Sequence, residues 1–303
     1  MNSDTTVVSD LYHKSTNIYE VGFLKRRIHS LLGLFLVLFL FEHLLTNSQA
    51  ALLFGESGSG FVRMVNFIQN LPYLPVIEIV LLGIPFLLHG FWGIRYALRG
   101  QSNCYNVEEN KPSLSYGRNQ AYTWQRYTSW ILLFGVIFHV IHMRFYRYPL
   151  HIQEGNRSHY LVRVRGDSGL ESLSNRLGTK IIRPDDLQSE MNVSHNNSLK
   201  ALQEQTFQKD DVIAMAKDFG TATLLVVRDS FRSVIVSILY TIFVLAAVFH
   251  AFNGLWTFMI TWGVIIRMRS QVFAVNVCIF IMVVVALLGL LAIWGSYFIN
   301  FIQ

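Results

Sequence analysis

The chain has 303 residues, of which 52% are hydrophobic, and it carries a formal net charge of +6 at pH 7. This apolar share exceeds that of ordinary soluble domains and is concentrated in long blocks, which is typical of an integral membrane protein. Because many of the Lys and Arg residues flank the apolar blocks, the positive charge indicates membrane topology and not a nucleic-acid partner.

Five apolar blocks are long enough to cross a bilayer, since a spanning helix needs about 20 predominantly apolar residues. We therefore expect an all-α integral membrane protein with five transmembrane helices. The blocks lie at about 28–51, 72–98, 125–146, 233–266 and 272–302. They divide the chain into a short N-terminal tail, helices 1–3, a polar insert and helices 4–5, at residues 1–24, 25–146, 147–231 and 232–303.

The positions of the basic residues predict the orientation. Lys25, Arg26 and Arg27 precede the first block, whereas the short first connection carries only Arg63. Since basic residues collect on the cytoplasmic side, we expect the N-terminus, and with it the 1–24 tail, inside and the C-terminus outside. The first 24 residues are polar and no small-residue cleavage site follows the first block, which predicts no N-terminal signal peptide.

The cysteine pattern limits which cofactors this chain can bind alone. Cys104 and Cys278 are isolated, so neither covalent haem attachment nor an iron–sulfur cluster is indicated. The sequence also has no G-x-G-x-x-G or Walker-type loop for a nucleotide. Any flavin or cluster that works with this chain is therefore expected on another polypeptide.

The polar insert predicts a small α/β unit on the outer face, because long segments are translocated regardless of their charge. His159–Val164 and Thr221–Val227 have the composition of strands. Leu199–Phe219 has helical spacing between them, and Ser189–Ser198 reads as a loop. The histidines of the insert do not have the spacing of metal ligands. The insert could serve as a docking surface, or it could have no function of its own.

Four histidines lie in four successive apolar blocks: His43, His89, His139 and His250. An imidazole in hydrocarbon is costly and rare, so one in each block requires a physical reason. Two facing pairs would supply two bis-histidine axial sites for haem iron, which predicts a haem-binding bundle and a membrane electron carrier. Any single histidine in a membrane span could instead form a hydrogen bond to a neighbouring helix. That alternative is a poorer explanation for a histidine in each of four successive spans.

Depth along the helices predicts an outer pair. His43 follows Arg27 by 16 residues, and His139 follows Arg126 by 13. At 1.5 Å per residue, both imidazoles lie about 20–24 Å from the cytoplasmic charges.

The inner pair follows by elimination. His89 precedes Arg95 by six residues, which places it about 9 Å from the inner boundary. His250 lies near the middle of its long block, so its own depth stays open.

Further polar residues are candidates for supporting roles. His29 at the inner boundary is expected to have a polar or propionate-binding role and not to bind iron. His142 is expected to be an interface residue or a neighbour of propionate or quinone. Arg26, Arg27 and Arg126 are either propionate partners or simple topology anchors.

Two acids lie within the spans, where carboxylates often mark proton routes. Glu78, at the predicted depth of the outer pair, is the first candidate for a quinone-site acid. Glu42 is expected to hydrogen-bond with another helix.

Six segments resemble the di-haem cytochrome b558 membrane subunits of bacterial succinate dehydrogenase, and the resemblance covers about 22–146 and 233–302. The segments are Phe23–Gly33 (FLKRRIHSLLG), Phe41–Asn47 (FEHLLTN), Leu87–Gly93 (LLHGFWG), Trp124–Thr128 (WQRYT), Phe138–Ile141 (FHVI) and Val248–Gly263 (VFHAFNGLWTFMITWG).

This resemblance implies a five-helix bundle with two haem b groups in the bacterial cytoplasmic membrane. It implies that His43 and His139 bind the outer haem, and that His89 and His250 bind the inner one. It also implies an anchor for flavoprotein and iron–sulfur subunits on the cytoplasmic face. Those partners carry out the dicarboxylate chemistry, and electrons from succinate pass through both haems to menaquinone, the quinone substrate.

The sequence departs from the family in two places. The 147–231 insert is far longer than the usual third connection, and Val248 occupies a position where some related fumarate reductases have a glutamate.

Two alternatives stay open: a cytochrome b anchor of another quinone-linked dehydrogenase, of hydrogenase or formate dehydrogenase type, and a haem-free membrane transporter.

Overall fold

The computed structural model describes residues 3–51, 57–100, 116–154, 157–186 and 210–302. Within these residues the chain is mainly helical, with one small sheet. Its helices are α1 (Ser3–Ser48), α2 (Ser59–Gln69), α3 (Leu74–Arg99), α4 (Gly117–Tyr146), α5 (Ser168–Leu177), α6 (Phe219–Ser230), α7 (Val234–Thr261) and α8 (Met268–Ile299). Its strands are β1 (Leu150–Glu154), β2 (Arg157–Arg165), β3 (Lys180–Ile182) and β4 (Asp211–Ala216).

Five of the described helices are long and apolar enough to cross a membrane, as the sequence predicts. They are Gly22–Ala51, which joins the second half of α1 to the 3₁₀ turn Gln49–Ala51, and the whole of α3, α4, α7 and α8. These helices expose large apolar side chains such as Leu87 and Phe280, which suits a lipid environment. Short π-helical segments interrupt α3 and α8, at Ile79–Gly83 and Leu291–Gly295, and a third ends α4 at Ile141–Tyr146.

The end of α7 shows how the sequence sets a helix boundary. The fourth apolar block continues to residue 266, but the helix ends at Thr261. Gly263 adopts a φ of +71°, which costs a glycine little, and Val264 N–H donates to the Met259 carbonyl. The spanning segment is therefore shorter than the apolar block.

The chain divides into two compact units. Unit 1 contains Met1–Leu40, Val76–Ser129 and Phe249–Met282, and unit 2 contains Phe41–Pro75, Trp130–Val248 and Val283–Gln303. In unit 1, buried Trp256 packs with Ala274 and Cys278, so α7 and α8 share an apolar core.

Unit 2 includes the insert, which forms a four-stranded antiparallel sheet of order β1-β2-β4-β3. One face of the sheet packs against α5 and α6 through residues such as Val162, Leu173 and Leu225. The other face buries Leu161 and Ile213. Successive side chains of β2 thus point to opposite faces of the sheet, and both faces are packed against apolar residues.

The insert confirms one predicted strand and corrects two other expectations. His159–Val164 lies in β2 as predicted. Thr221–Val227 is not a strand but part of α6, because the Asp218 carboxylate caps the helix by accepting from Thr221 N–H at 2.8 Å. Within the predicted helix Leu199–Phe219, Asp211–Ala216 is instead strand β4. The rest of that segment up to residue 209 and the predicted loop Ser189–Ser198 lie outside the described residues.

Candidate functional site

Two of the membrane histidines face each other in unit 2. His43 comes from α1 and His139 from α4, and their ring centroids are 5.8 Å apart with planes at 85°. Gly135, one helical turn before His139, lets α4 pack closely there, because a Cβ at Gly135 would lie 2.3 Å from Phe243 Cδ2. The Phe243 ring in turn lies 6.1 Å from the ring of His139. Helix packing thus sets the position of this pair.

The other two histidines face each other in unit 1. His89 comes from α3 and His250 from α7, with ring centroids 6.3 Å apart and planes at 80°. The structure therefore brings together the same two pairs that the sequence predicts.

The separation in both pairs suits a shared metal ion. A metal–imidazole bond is about 2 Å long. With ring bonds of about 1.35 Å, each ring nitrogen lies about 1.1 Å from the centre of its ring. Two imidazoles that bind one ion from opposite sides therefore have ring centroids about 6 Å apart. The observed values are 5.8 and 6.3 Å. Among the described residues, no group of three or more His, Cys, Asp or Glu side chains could hold an ion. An ion between either pair would have two histidine ligands from the described residues, and a porphyrin would supply four more.

The His89 ring lies against α1 in a position that leaves one nitrogen for a ligand. Its Nδ1 is 3.0 Å from the His29 carbonyl oxygen, so a protonated Nδ1 donates there and Nε2 carries the lone pair. The ring fits into a notch at Gly33, where a Cβ would lie 3.0 Å from His89 Cε1. The His29 ring stacks on the same imidazole at 4.0 Å and 7°.

His250 is held by residues of α4. Its Nδ1 is 3.4 Å from Thr128 Oγ1, and that hydroxyl donates its own hydrogen to the Trp124 carbonyl at 2.8 Å. The Thr128 oxygen is thus the acceptor for the imidazole. Gln125 Nε2 donates to the His250 carbonyl at 3.1 Å, and Asn253 Nδ2 donates to Gln125 Oε1 at 2.8 Å. This network fixes both the ring and the backbone at His250.

The predicted propionate partners differ in burial. Arg26 is exposed, whereas Arg27 is partly buried with its guanidinium over the rings of Phe23 and Trp262. The buried atoms Arg27 Nε, His29 Nδ1 and Arg126 Nε have no hydrogen-bond partner in the part of the chain that the structure describes. Buried polar atoms without a partner are rare in native proteins, and a carboxylate could accept hydrogen bonds at these positions.

The two acids within the spans differ in their surroundings. The Glu42 carboxylate accepts a hydrogen bond from Thr46 Oγ1 at 2.7 Å, so this bond lies within α1 and not between helices as expected. Glu78 is partly buried where α3 passes into its π-helical segment. Glu78 belongs to unit 1, with the His89–His250 pair.

Three supporting residues were not recognised as functional from the sequence. They are Tyr240, Thr128 and Gln125, and each places a polar group beside a paired histidine. The only signal in the sequence is a polar side chain within an apolar span, and the partner of such a side chain depends on how the helices pack.

Comparison with known proteins gives one match of the kind that the sequence motifs suggest. The succinate dehydrogenase cytochrome b558 subunit of Bacillus subtilis (strain 168) is 25% identical over 271 residues, which cover 89% of this chain and 95% of that protein. The chain is similar to that cytochrome b558 subunit. This similarity confirms the resemblance drawn from the sequence, and with the five apolar helices it makes the chain a multi-pass membrane protein. No protein-family model and no solved structure gives a significant match.

Proposed function

We propose that the chain is the membrane-anchor cytochrome b subunit of a succinate:quinone oxidoreductase and that it holds two haem b groups. The observation that carries this proposal is the pair of facing histidine sites, each with a spacing that suits one shared iron. The relative of this chain is named as the corresponding subunit of succinate dehydrogenase.

The four histidines would hold the two haem groups, His43 with His139 and His89 with His250. Haem iron with two histidine ligands supplies one-electron transfer between redox partners. The His29 carbonyl accepts from Nδ1 of His89, and the Thr128 hydroxyl oxygen accepts from Nδ1 of His250. Both imidazoles therefore carry their proton on Nδ1, which leaves the Nε2 lone pair of each available to iron. Arg27, His29 and Arg126 hold the propionates in unit 1, since each buries a nitrogen without a described partner.

The quinone substrate is menaquinone, and its reduction takes up protons as well as electrons. Glu78 is the proposed proton-donating acid because it is a partly buried carboxylate within a span. Electrons reach the chain from a flavoprotein and an iron–sulfur subunit, which dock at the cytoplasmic face and carry out the dicarboxylate chemistry. The chain spans a bacterial cytoplasmic membrane with its N-terminus on the cytoplasmic side. The 147–231 insert and the C-terminus lie on the outer side.

Purification of the tagged chain from its membrane tests this assignment. We expect a flavoprotein and an iron–sulfur protein to co-purify, and succinate to reduce the cytochrome and then a menaquinone analogue. Co-purification with hydrogenase or formate dehydrogenase, with no reduction by succinate, would show that the partner is a different dehydrogenase.

A further inference from the structure

Tyr240 contacts two histidines from within an apolar helix. Its side chain is only 5% exposed. Its hydroxyl oxygen is 3.3 Å from His139 Nδ1 and 3.1 Å from His142 Nδ1. Removing a phenolic hydroxyl from water is costly unless it is hydrogen-bonded, so these two nitrogens explain how a tyrosine is tolerated there.

The chemistry of a hydroxyl sets the direction of the two hydrogen bonds. If His139 binds iron through Nε2, its proton lies on Nδ1, which donates to the Tyr240 oxygen. The phenolic O–H then donates to His142 Nδ1, so that His142 carries its proton on Nε2. One hydroxyl thus accepts from His139 and donates to His142.

The surrounding rings hold Tyr240 in place without help from its hydroxyl. The Phe231 ring meets it edge-on at 5.2 Å, and the Phe138 ring lies 5.9 Å away. His142 is stacked on Phe138 at 5.5 Å and 20°. Phenylalanine at position 240 can therefore keep the packing and remove only the hydrogen bonds.

We propose that Tyr240 is the positioning residue of the His43–His139 site, fixing the tautomer and ring orientation of His139 and lowering the reduction potential of the iron there. This inference rests on the proposed haem-binding function. A hydrogen bond from Nδ1–H makes an imidazole a stronger donor to the metal, which favours the ferric form. His142 strengthens the effect because an O–H that donates becomes a better acceptor.

The test is Tyr240→Phe in the complete complex, with haem content, potentiometric titration of both haems and low-temperature EPR as readouts. Removing a ligand's hydrogen-bonding partner typically changes metal affinity 10–100-fold. A tenfold change in preference for ferric over ferrous iron equals about 59 mV for a one-electron couple. We expect two haems, one of them with a potential raised by about this amount and an altered EPR signal.

Three further variants make the result specific. His142→Phe keeps a ring on Phe138 and removes only the acceptor, and it should raise the same potential by less. Tyr297→Phe, in a ring cluster with Trp294 and Phe298, is the control and should leave both potentials unchanged. His250→Ala, which is expected to retain only the outer haem, identifies the haem that responds.

The outcomes separate the inference from the proposed function. Unchanged potentials and EPR signals in Tyr240→Phe, or a shift in the haem that His250→Ala removes, would overturn the role of Tyr240. If Tyr240→Phe does not assemble, an unchanged potential in His142→Phe overturns the inference in the same way. A wild-type complex without haem would instead refute the proposed function.

Discussion

Gly135→Ala is expected to disturb one histidine pair and spare the other. The added methyl group would lie 2.3, 2.8 and 3.0 Å from three atoms of the Phe243 ring. Carbon atoms pack at about 3.5–4.0 Å, so the ring or α4 must move by more than 1 Å. Overpacking of this kind costs about 1–3 kcal/mol, which lowers the ratio of folded to unfolded protein by about 5- to 150-fold.

The displacement reaches the His43–His139 site because Phe243 lies 6.1 Å from the His139 ring. The measurement is haem content with the reduced-minus-oxidised spectrum, together with thermal unfolding in detergent. We expect a lower unfolding temperature and loss or broadening of one haem signal, with the other retained. Gly117→Ala at the start of the same helix is the matched control, since a Cβ there meets no atom of the described residues within 4 Å. Equal haem content and stability in both variants would show that the added methyl group does not disturb the His43–His139 site.

Three other predictions concern single residues. His250→Ala should remove the inner haem and leave much of the outer one; two haems with an unchanged spectrum would disprove the ligand assignment. Glu78→Gln should slow quinone reduction with haem content intact, and unaltered turnover would remove Glu78 from the quinone site. At Asp167, burial raises the pKa, but hydrogen bonds from Leu170 N–H and Arg228, with the charge of Arg232, outweigh it and hold the pKa below its ordinary value. Asp167 therefore stabilises the fold above its unfolded-state pKa, and this contribution is lost as the pH falls through the lower folded-state value. Asp167→Asn should thus unfold at a lower temperature than wild type at pH 7, with the difference disappearing in acid, and a difference that persists in acid would contradict this.

The membrane helices were predictable because long apolar blocks have few structural options in a bilayer. The histidine pairs could be predicted for a related reason. Position along a helix of fixed rise gave similar depths for His43 and His139, and His89 and His250 were then left as partners.

The insert was harder to predict because its apolar runs are short. Thr221–Val227 is buried nearly throughout, and such a run suits a buried helix as well as a buried strand. The cap from Asp218 determines the helix, and that cap was not recognised in the sequence. Asp211–Ala216 becomes a strand because it pairs with β2 over six residues, which is a non-local contact.

The partners around the ligands were beyond sequence reasoning for a different reason. Tyr240 is more than 90 residues from both histidines that it contacts, and His89 reaches the His29 carbonyl across 60 residues. These contacts depend on the rotation of each helix about its axis, which apolar sequence leaves weakly determined.

The most direct test of the central claim is the haem content of the purified chain, measured by a reduced-minus-oxidised spectrum with haem and protein quantified in the same sample. We expect two b-type haems per chain, one for each histidine pair. Folded protein that contains no haem would contradict this expectation, and a single haem would show that one of the two pairs does not bind iron.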